Sequence, residues 1–334
     1  MSISGIKHIA GQLVPGIMDR LNLQKQINEN EKQIKEVKHL DDSDYPKYLS
    51  KLYQKKTGNE LDLCSPKRLT EKIQWRKLND RDPIYSKLSD KYFVRDWVKS
   101  KIGEEYLVPL LGHWKRFNEI DFSKLPDQFV LKTNNASHTV IIVKDKKCFM
   151  RHMWAAKKRI EYWLRMPFAY TEGLELHYLN IEPQIIAEEL LCPENGKHDL
   201  EDYKFHCFNG EPVLCQVIGE RTKGETIDFF DMEWNHMSVR RPPYPNAENT
   251  DKPINFEEMK HIAEKLSRGF QYVRVDLYEQ GGKIYFGEMT FTPASGMMRF
   301  APDEWDYKLG KLWNINTQQI DREKVGMIMN AAGR

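Results

Sequence analysis

Between residues 273 and 290 the chain reads VRVDLYEQGGKIYFGEMT, two apolar runs joined at a Gly-Gly pair, which specifies a β-hairpin. Each run also carries a carboxylate, Asp276 in the first and Glu288 in the second. If Gly281, Gly282 and Lys283 form a three-residue loop, Gln280 pairs with Ile284. Asp276 then stands opposite Glu288 and Arg274 opposite Thr290, with Tyr278 and Phe286 on the same face. The other face collects Val273, Val275, Leu277, Tyr285, Met289 and Phe291, which is core material. A two-residue turn would break this register and split the carboxylates across the sheet. Carboxylates about 5 Å apart repel unless a shared proton, an arginine or a metal neutralises them. Oxygen-only ligands suit Mg²⁺ or Mn²⁺ completed by water and phosphate oxygens. A solvated sheet face on which Arg274 pairs with Asp276 accounts for the same residues.

The rest of the composition narrows the setting. With 334 residues, 40% hydrophobic and 30% charged, the chain suits two domains or one large domain with lobes. A net charge of +2, from 51 basic and 49 acidic residues, gives no global field for nucleic acid. Five cysteines (Cys64, Cys148, Cys192, Cys207, Cys215) without CxxC spacing indicate neither a zinc site nor a disulfide framework, so a reducing cytoplasm is expected. No signal peptide is visible, and no apolar run reaches the roughly 18 residues of a membrane span.

Residues 1–45 stand apart. Ile6, Ile9, Ala10, Leu13 and Ile17 fall at helical spacing, interrupted at Pro15-Gly16, and LNLQKQINENEKQIKEVKHL reads as a polar helix. Its thin stripe of Leu23, Ile27, Ile34 and Val37 suits packing on the main domain, a short coiled coil or a membrane-surface helix. Residues 66–103 read helical, with Ser89 as an N-cap and Gly103 as a stop. DQFVLKTN and TVIIVKD read as strands around NNASH, HMWAAKKRIEYWLR as a helix and PQIIAEELL as a strand. DYKFHCFNGEPVLCQVIGER reads as a hairpin turning at Asn209-Gly210, and NFEEMKHIAEKLSRG as a helix. Strands and helices mix without a βαβ period or internal repeat, so the fold class is α+β.

Further candidates lie upstream. Alternation sets Val130 and Lys132 on one face of FVLKT, so Lys132 leads from an apolar strand into a polar turn, within reach of a phosphate or of solvent. Lys91 follows a helix start, as a phosphate contact or a surface lysine. Glu188-Glu189 close an apolar strand, as strand-edge charges or as a nucleotide hinge. Arg240, Arg241, Trp234, Tyr244 and Arg299 are plausible carboxylate or sugar contacts, and equally ordinary surface or core residues.

In this order the features resemble the ATP-grasp superfamily, and RVDLYEQGGKIYFGEMTFTP looks like the metal hairpin of the D-alanine–D-alanine ligase type. LTEKIQWRKLND, DKYFVRDWV, QFVLKTNNAS, DYKFHCFNGEP, FFDMEWN and GEMTFTPASGMMRFAP resemble the TupA-like ATP-grasp proteins of bacterial surface-polysaccharide loci, over roughly residues 45–312. The resemblance implies an ATP-grasp fold, two α+β lobes holding ATP between them after an N-terminal helical segment. The corresponding boundaries are 1–45, a helical region at 46–125, a small lobe at 126–190, a large lobe at 191–312 and a tail at 313–334. It makes Lys91 and Lys132 phosphate contacts, and Glu188, Glu189, Leu190 and Leu191 the adenine hinge. Asp202 takes the place of the ribose-binding acid, and Arg221 is a further phosphate contact. Asp276, Glu288 and Thr290 become the metal ligands, and Arg274 the stabiliser of transferred charge. Thr290 stands where the ligases carry Asn. The loop NNASHT has no glycine, although Asn tolerates left-handed backbone, and His138 there either touches phosphate or caps the loop.

The implied cofactors are ATP and Mg²⁺ or Mn²⁺. The implied reaction activates a carboxylate, for instance of a uronic acid, as an acyl phosphate and joins it to an amine or amino acid. A glycosyltransferase, an ATP-dependent phosphotransferase and a non-catalytic nucleotide-binding scaffold are the alternatives. A carboxylate acceptor and an amine donor are the expected partners, without nucleic acid. Peripheral membrane attachment or self-association through the N-terminal helix fits a cytoplasmic protein at the inner membrane face.

Overall fold

The computed structural model describes residues 17–193 and 199–326. The expected helical spacing at residues 6–14 and the last part of the 313–334 tail lie outside the described residues. In chain order the α-helices among the described residues are α1 (Ile17–Val37), α2 (Tyr45–Thr57), α3 (Leu69–Asn79), α4 (Pro83–Ser89), α5 (Val94–Ile102), α6 (Lys146–Arg151), α7 (Met153–Arg165), α8 (Phe256–Ser267), α9 (Glu304–Lys311) and α10 (Arg322–Val325). The strands are β1 (Leu110–Trp114), β2 (Phe129–Thr133), β3 (Val140–Val143), β4 (Ile185–Glu189), β5 (Asp202–Phe208), β6 (Glu211–Gly219), β7 (Thr226–Phe230), β8 (Tyr272–Gln280) and β9 (Lys283–Thr290). No described helix is long and apolar enough to cross a membrane.

The chain forms two compact units whose segments interleave. Among the described residues the first takes 17–49, 81–97 and 107–192, the second 50–80, 98–106, 193 and 199–326.

The first unit is built on an antiparallel sheet of order β1-β4-β2-β3. Alternation in FVLKT buries Phe129 and Leu131 and leaves Val130 and Lys132 half-buried on the other face. Ile160 and Trp163 of α7 pack on the buried face. Leu23, Ile27 and Val37 of α1 are buried, Ile34 packs against the core of this unit, and Asn30 donates to Met166 Sδ at 3.2 Å. The stripe of α1 is thus covered by the chain's own residues. The expected cap at Ser89 is displaced: Ser89 ends α4, and the Asp90 carboxylate accepts the N–H groups of Tyr92 and Phe93. That Asx turn delays α5 to Val94, so Lys91 lies between two helices rather than just inside one.

The second unit carries an antiparallel sheet of order β7-β6-β5-β8-β9. Its β5–β6 hairpin closes on Asn209 and Gly210, both with positive φ, as a two-residue turn that suits strand twist. One face of the sheet is covered by α8, whose Phe256, Met259, Ile262 and Leu266 are buried. On the opposite face Leu69 and Ile73 of α3 join Leu214, Phe229, Tyr272 and Trp313 in a second core. The part of that face carried by β5, β8 and β9 is polar, and it holds the candidate site.

A chain of alternating charges on one sheet face

The hairpin does not close as expected. Gly281 and Gly282, both with positive φ, form a two-residue turn, with Gln280 opposite Lys283. That turn alone would separate the carboxylates, but the ladder slips by one residue at Gly287, where a β-bulge sets two residues of β9 against one of β8. Asp276 therefore pairs with Glu288 and Arg274 with Thr290. Between turn and bulge the faces exchange: Phe286, opposite Leu277, is buried with the core, and Tyr285, opposite Tyr278, takes the site face. Gly287 is needed because a Cβ there would lie 2.9 Å from the Tyr278 ring and 3.0 Å from the Asp276 carbonyl oxygen.

Around this pair six side chains alternate in charge. Arg221 Nη2 lies 2.5 Å from Asp202 Oδ2, and Lys204 Nζ 2.6 Å from the same oxygen. Lys204 also bridges to Asp276 Oδ2. Arg274 holds Asp276 with two parallel bonds, Nε to Oδ1 at 2.6 Å and Nη2 to Oδ2 at 2.7 Å. The same Nη2 reaches Glu288 Oε1 and Thr290 Oγ1, each at 3.1 Å, and Thr290 donates to Glu288 Oε1 at 2.8 Å. Strand register explains the assembly: Lys204 of β5 lies opposite Asp276, and His206 opposite Arg274. The middle of the chain is dry, with Asp276 1% exposed. Its two ends open to solvent, the Arg221 side chain at 35% and Glu288 at 34%.

The electrostatics follow from that burial. Burial pushes the Asp276 carboxyl up, against the pull of Arg274 and Lys204. Burial acts on Asp202 too, yet Lys204 and Arg221 hold it below the usual carboxylate range. His206 is pushed down to about 3, first by burial and then by the Arg274 charge, so it stays neutral. Its Nδ1 lies 3.0 Å from the Tyr272 hydroxyl and its Nε2 3.3 Å from Gln216 Oε1. Asp202 Oδ1 and Gln216 Nε2 are buried without a hydrogen-bond partner among the described residues, polar capacity that a ligand could satisfy.

The sequence-expected residues fall into two groups. Asp202, Arg221, Arg274, Asp276, Glu288 and Thr290 gather on this face of the second unit. In the first unit Lys132 Nζ lies 2.5 Å from Glu188 Oε2, and Arg95 Nη1 3.1 Å from Glu188 Oε1. Glu188 is a buried counter-ion on a central strand, and its backbone is paired with Leu110 and Val130. Glu189 is exposed, and Leu190 and Leu191 follow it in half-buried coil. Lys91 Nζ donates to the Ala136 carbonyl at 2.5 Å and so fastens the NNASHT loop. In that loop the left-handed residue is the exposed His138 (φ 59°), not an asparagine; Asn134 is instead buried, bonded to Asp90 and to the backbone of Glu182 and Gln184. Of the acceptor candidates, Trp234 stacks on Phe230 at 4.1 Å and Arg241 lies over the Tyr244 ring at 5.6 Å. Arg240 pairs by backbone with Ala301, and Arg299 is exposed.

Lys204 was not anticipated, although DYKFHCF shows it: alternation places Asp202, Lys204 and His206 on one face of a strand that is otherwise core.

As oxygen donors, Asp276, Glu288 and Thr290 fit a hard cation such as Mg²⁺. Among the described residues no group of three or more His, Cys, Asp or Glu side chains is arranged to hold a metal. Water and phosphate oxygens would therefore have to complete the shell, and Arg274 now supplies the positive charge between the carboxylates.

A model of the TupA-like ATPgrasp family matches residues 71–314. No curated protein matches. Among solved structures, a D-alanine–D-alanine ligase from Bacillus anthracis complexed with ATP is 15% identical over 62% of this chain and 55% of that one, with a TM-score of 0.37. The D-alanine–D-alanine ligase from Helicobacter pylori is 11% identical, over 68% and 61%, with a TM-score of 0.34. The ATP-grasp ligase PsnB, complexed with minimal precursor, Mg and ADP, is 10% identical, over 67% and 58%, with a TM-score of 0.33. The chain spans somewhat more than half the length of these proteins.

Proposed function

The chain belongs to the TupA-like ATP-grasp family, and we propose that it is an ATP-dependent carboxylate–amine ligase acting on a uronic acid of a surface polysaccharide or its precursor. The observation that carries this reading is the opposition of Asp276 and Glu288 with Arg274 spanning them. A carboxylate oxygen of the acceptor attacks the γ-phosphorus of ATP. The bond from that phosphorus to the β,γ-bridging oxygen breaks, giving an acyl phosphate and ADP. An amine then adds to the acyl carbon, expels inorganic phosphate and loses a proton, leaving an amide.

The chemistry needs in-line placement and a sink for moving negative charge, more than a covalent catalyst. Arg274 offers that sink, since its fork already grips oxyanions in a dry setting. Lys132 and Lys91 would contact phosphates, and Asp202 with its spare oxygen would bind a ribose hydroxyl. Arg221, at the exposed end of the charge chain, would meet another phosphate. Mg²⁺ would be held by Asp276 and Glu288 beside the Thr290 hydroxyl, and supplies charge screening on phosphate oxygens.

Screening uronic acids against a panel of amines tests the reading. A ligase releases ADP and phosphate only when both substrates are present. ADP without free phosphate would identify a phosphotransferase, and consumption of a nucleotide sugar without ATP a glycosyltransferase.

A further inference from the structure

The segment 144–165, KDKKCFMRHMWAAKKRIEYWLR, contains eight Lys and Arg against two acidic residues, a net of +6 in a chain whose total is +2. It forms α6 and α7, separated by a break at His152. Phe149, Ile160 and Trp163 point into the core of the first unit. Within α6, Lys147 and Arg151 lie on the side opposite Phe149, and within α7, Trp154, Lys158 and Arg165 lie on the side opposite Ile160 and Trp163, so each helix turns a basic stripe away from the core. Trp154 of α7 is 47% exposed and Met150 of α6 42%. None of Lys147, Arg151, Lys158 and Arg165 has a carboxylate partner among the described residues, whereas Lys157 pairs with Glu161 at 3.8 Å.

We propose that these stripes are a docking surface for an anionic lipid bilayer. Uncompensated cations around an exposed indole and thioether match what an anionic interface rewards. Headgroup phosphates attract the cations, while the aromatic and apolar side chains settle at headgroup depth. A soluble polyanion would use the charges but give nothing for Met150. The apolar stripe of α1 is itself buried and does not supply this surface.

Flotation of the full chain with phosphatidylglycerol-containing vesicles, and with phosphatidylcholine vesicles alone, is the test. The chain should float with the anionic vesicles only, and high salt should release it. Each cation contributes roughly fivefold to partitioning, so the triple variant Lys147→Gln/Arg151→Gln/Lys158→Gln should bind about a hundredfold more weakly. Trp154→Ala should weaken binding while leaving its salt dependence. All four residues are exposed, and circular dichroism is the check that each variant is folded. Absence of flotation, equal flotation with neutral vesicles, or an unchanged triple variant would overturn the proposal. Tighter binding to an RNA oligonucleotide than to the anionic vesicles would overturn it in favour of nucleic acid.

Discussion

Glu288 faces Asp276 because Gly287 bulges out of the ladder between β8 and β9, which restores the pairing that the two-residue turn would have shifted. The site therefore depends on a residue with no side chain. In Gly287→Ala the new Cβ presses on the Tyr278 ring and the Asp276 carbonyl. We expect about 1–3 kcal/mol of destabilisation in urea denaturation, with turnover falling further than stability alone accounts for. An unperturbed variant would show that the bulge can give way without moving the carboxylates.

Lys204 links Asp202 to Asp276, and both acids are buried. Lys204→Met leaves each with one cation fewer in a dry setting, which should cost about 3–5 kcal/mol. Adding Asp276→Asn should recover part of that loss, and a double-mutant cycle in urea measures the coupling. Additive losses would mean that the ion chain is not a unit.

Arg274 makes bonds to Asp276, Glu288 and Thr290 that an ammonium cannot reproduce together. Arg274→Lys should therefore reduce kcat by about a hundredfold or more, the scale seen when an oxyanion-stabilising donor is lost. Nucleotide affinity, measured by calorimetry, should change far less.

His206 sets a dependence on acid. Its folded pKa is lowered to about 3, from an ordinary value of 6.5. The unfolded chain binds this proton as pH falls below 6.5, and the native state does not until pH 3. Stability is therefore fully present above 6.5 and declines between 6.5 and 3, by about 1.4 kcal/mol per pH unit from this group. His206→Gln should flatten the melting temperature between pH 6.5 and 5, relative to the parent chain.

The hairpin was legible because alternation along a strand assigns faces without knowledge of the fold. The error lay in the turn. A glycine inside KIYFGEMT is the ordinary signal of a bulge, and taking it into account corrects both the loop length and the exchange of Tyr285 with Phe286. Lys204 was equally available from DYKFHCF, but a lysine between two aromatic residues shows its purpose only once β5 is known to lie beside β8. That pairing, like the interleaving of segments in the two units, is a long-range choice that local pattern does not encode. Glu188 shows the same limit: its position at the end of an apolar strand was visible, and its capture by Lys132 and Arg95 was not.

The most direct test of the ligase reading follows oxygen atoms. With a uronic acid labelled with ¹⁸O in its carboxylate, ATP and an amine, mass spectrometry of the released phosphate should show one labelled oxygen, transferred when phosphate leaves the acyl carbon. Asp276→Asn should abolish that product. Released phosphate without label, or amide formation without ADP, would contradict the account.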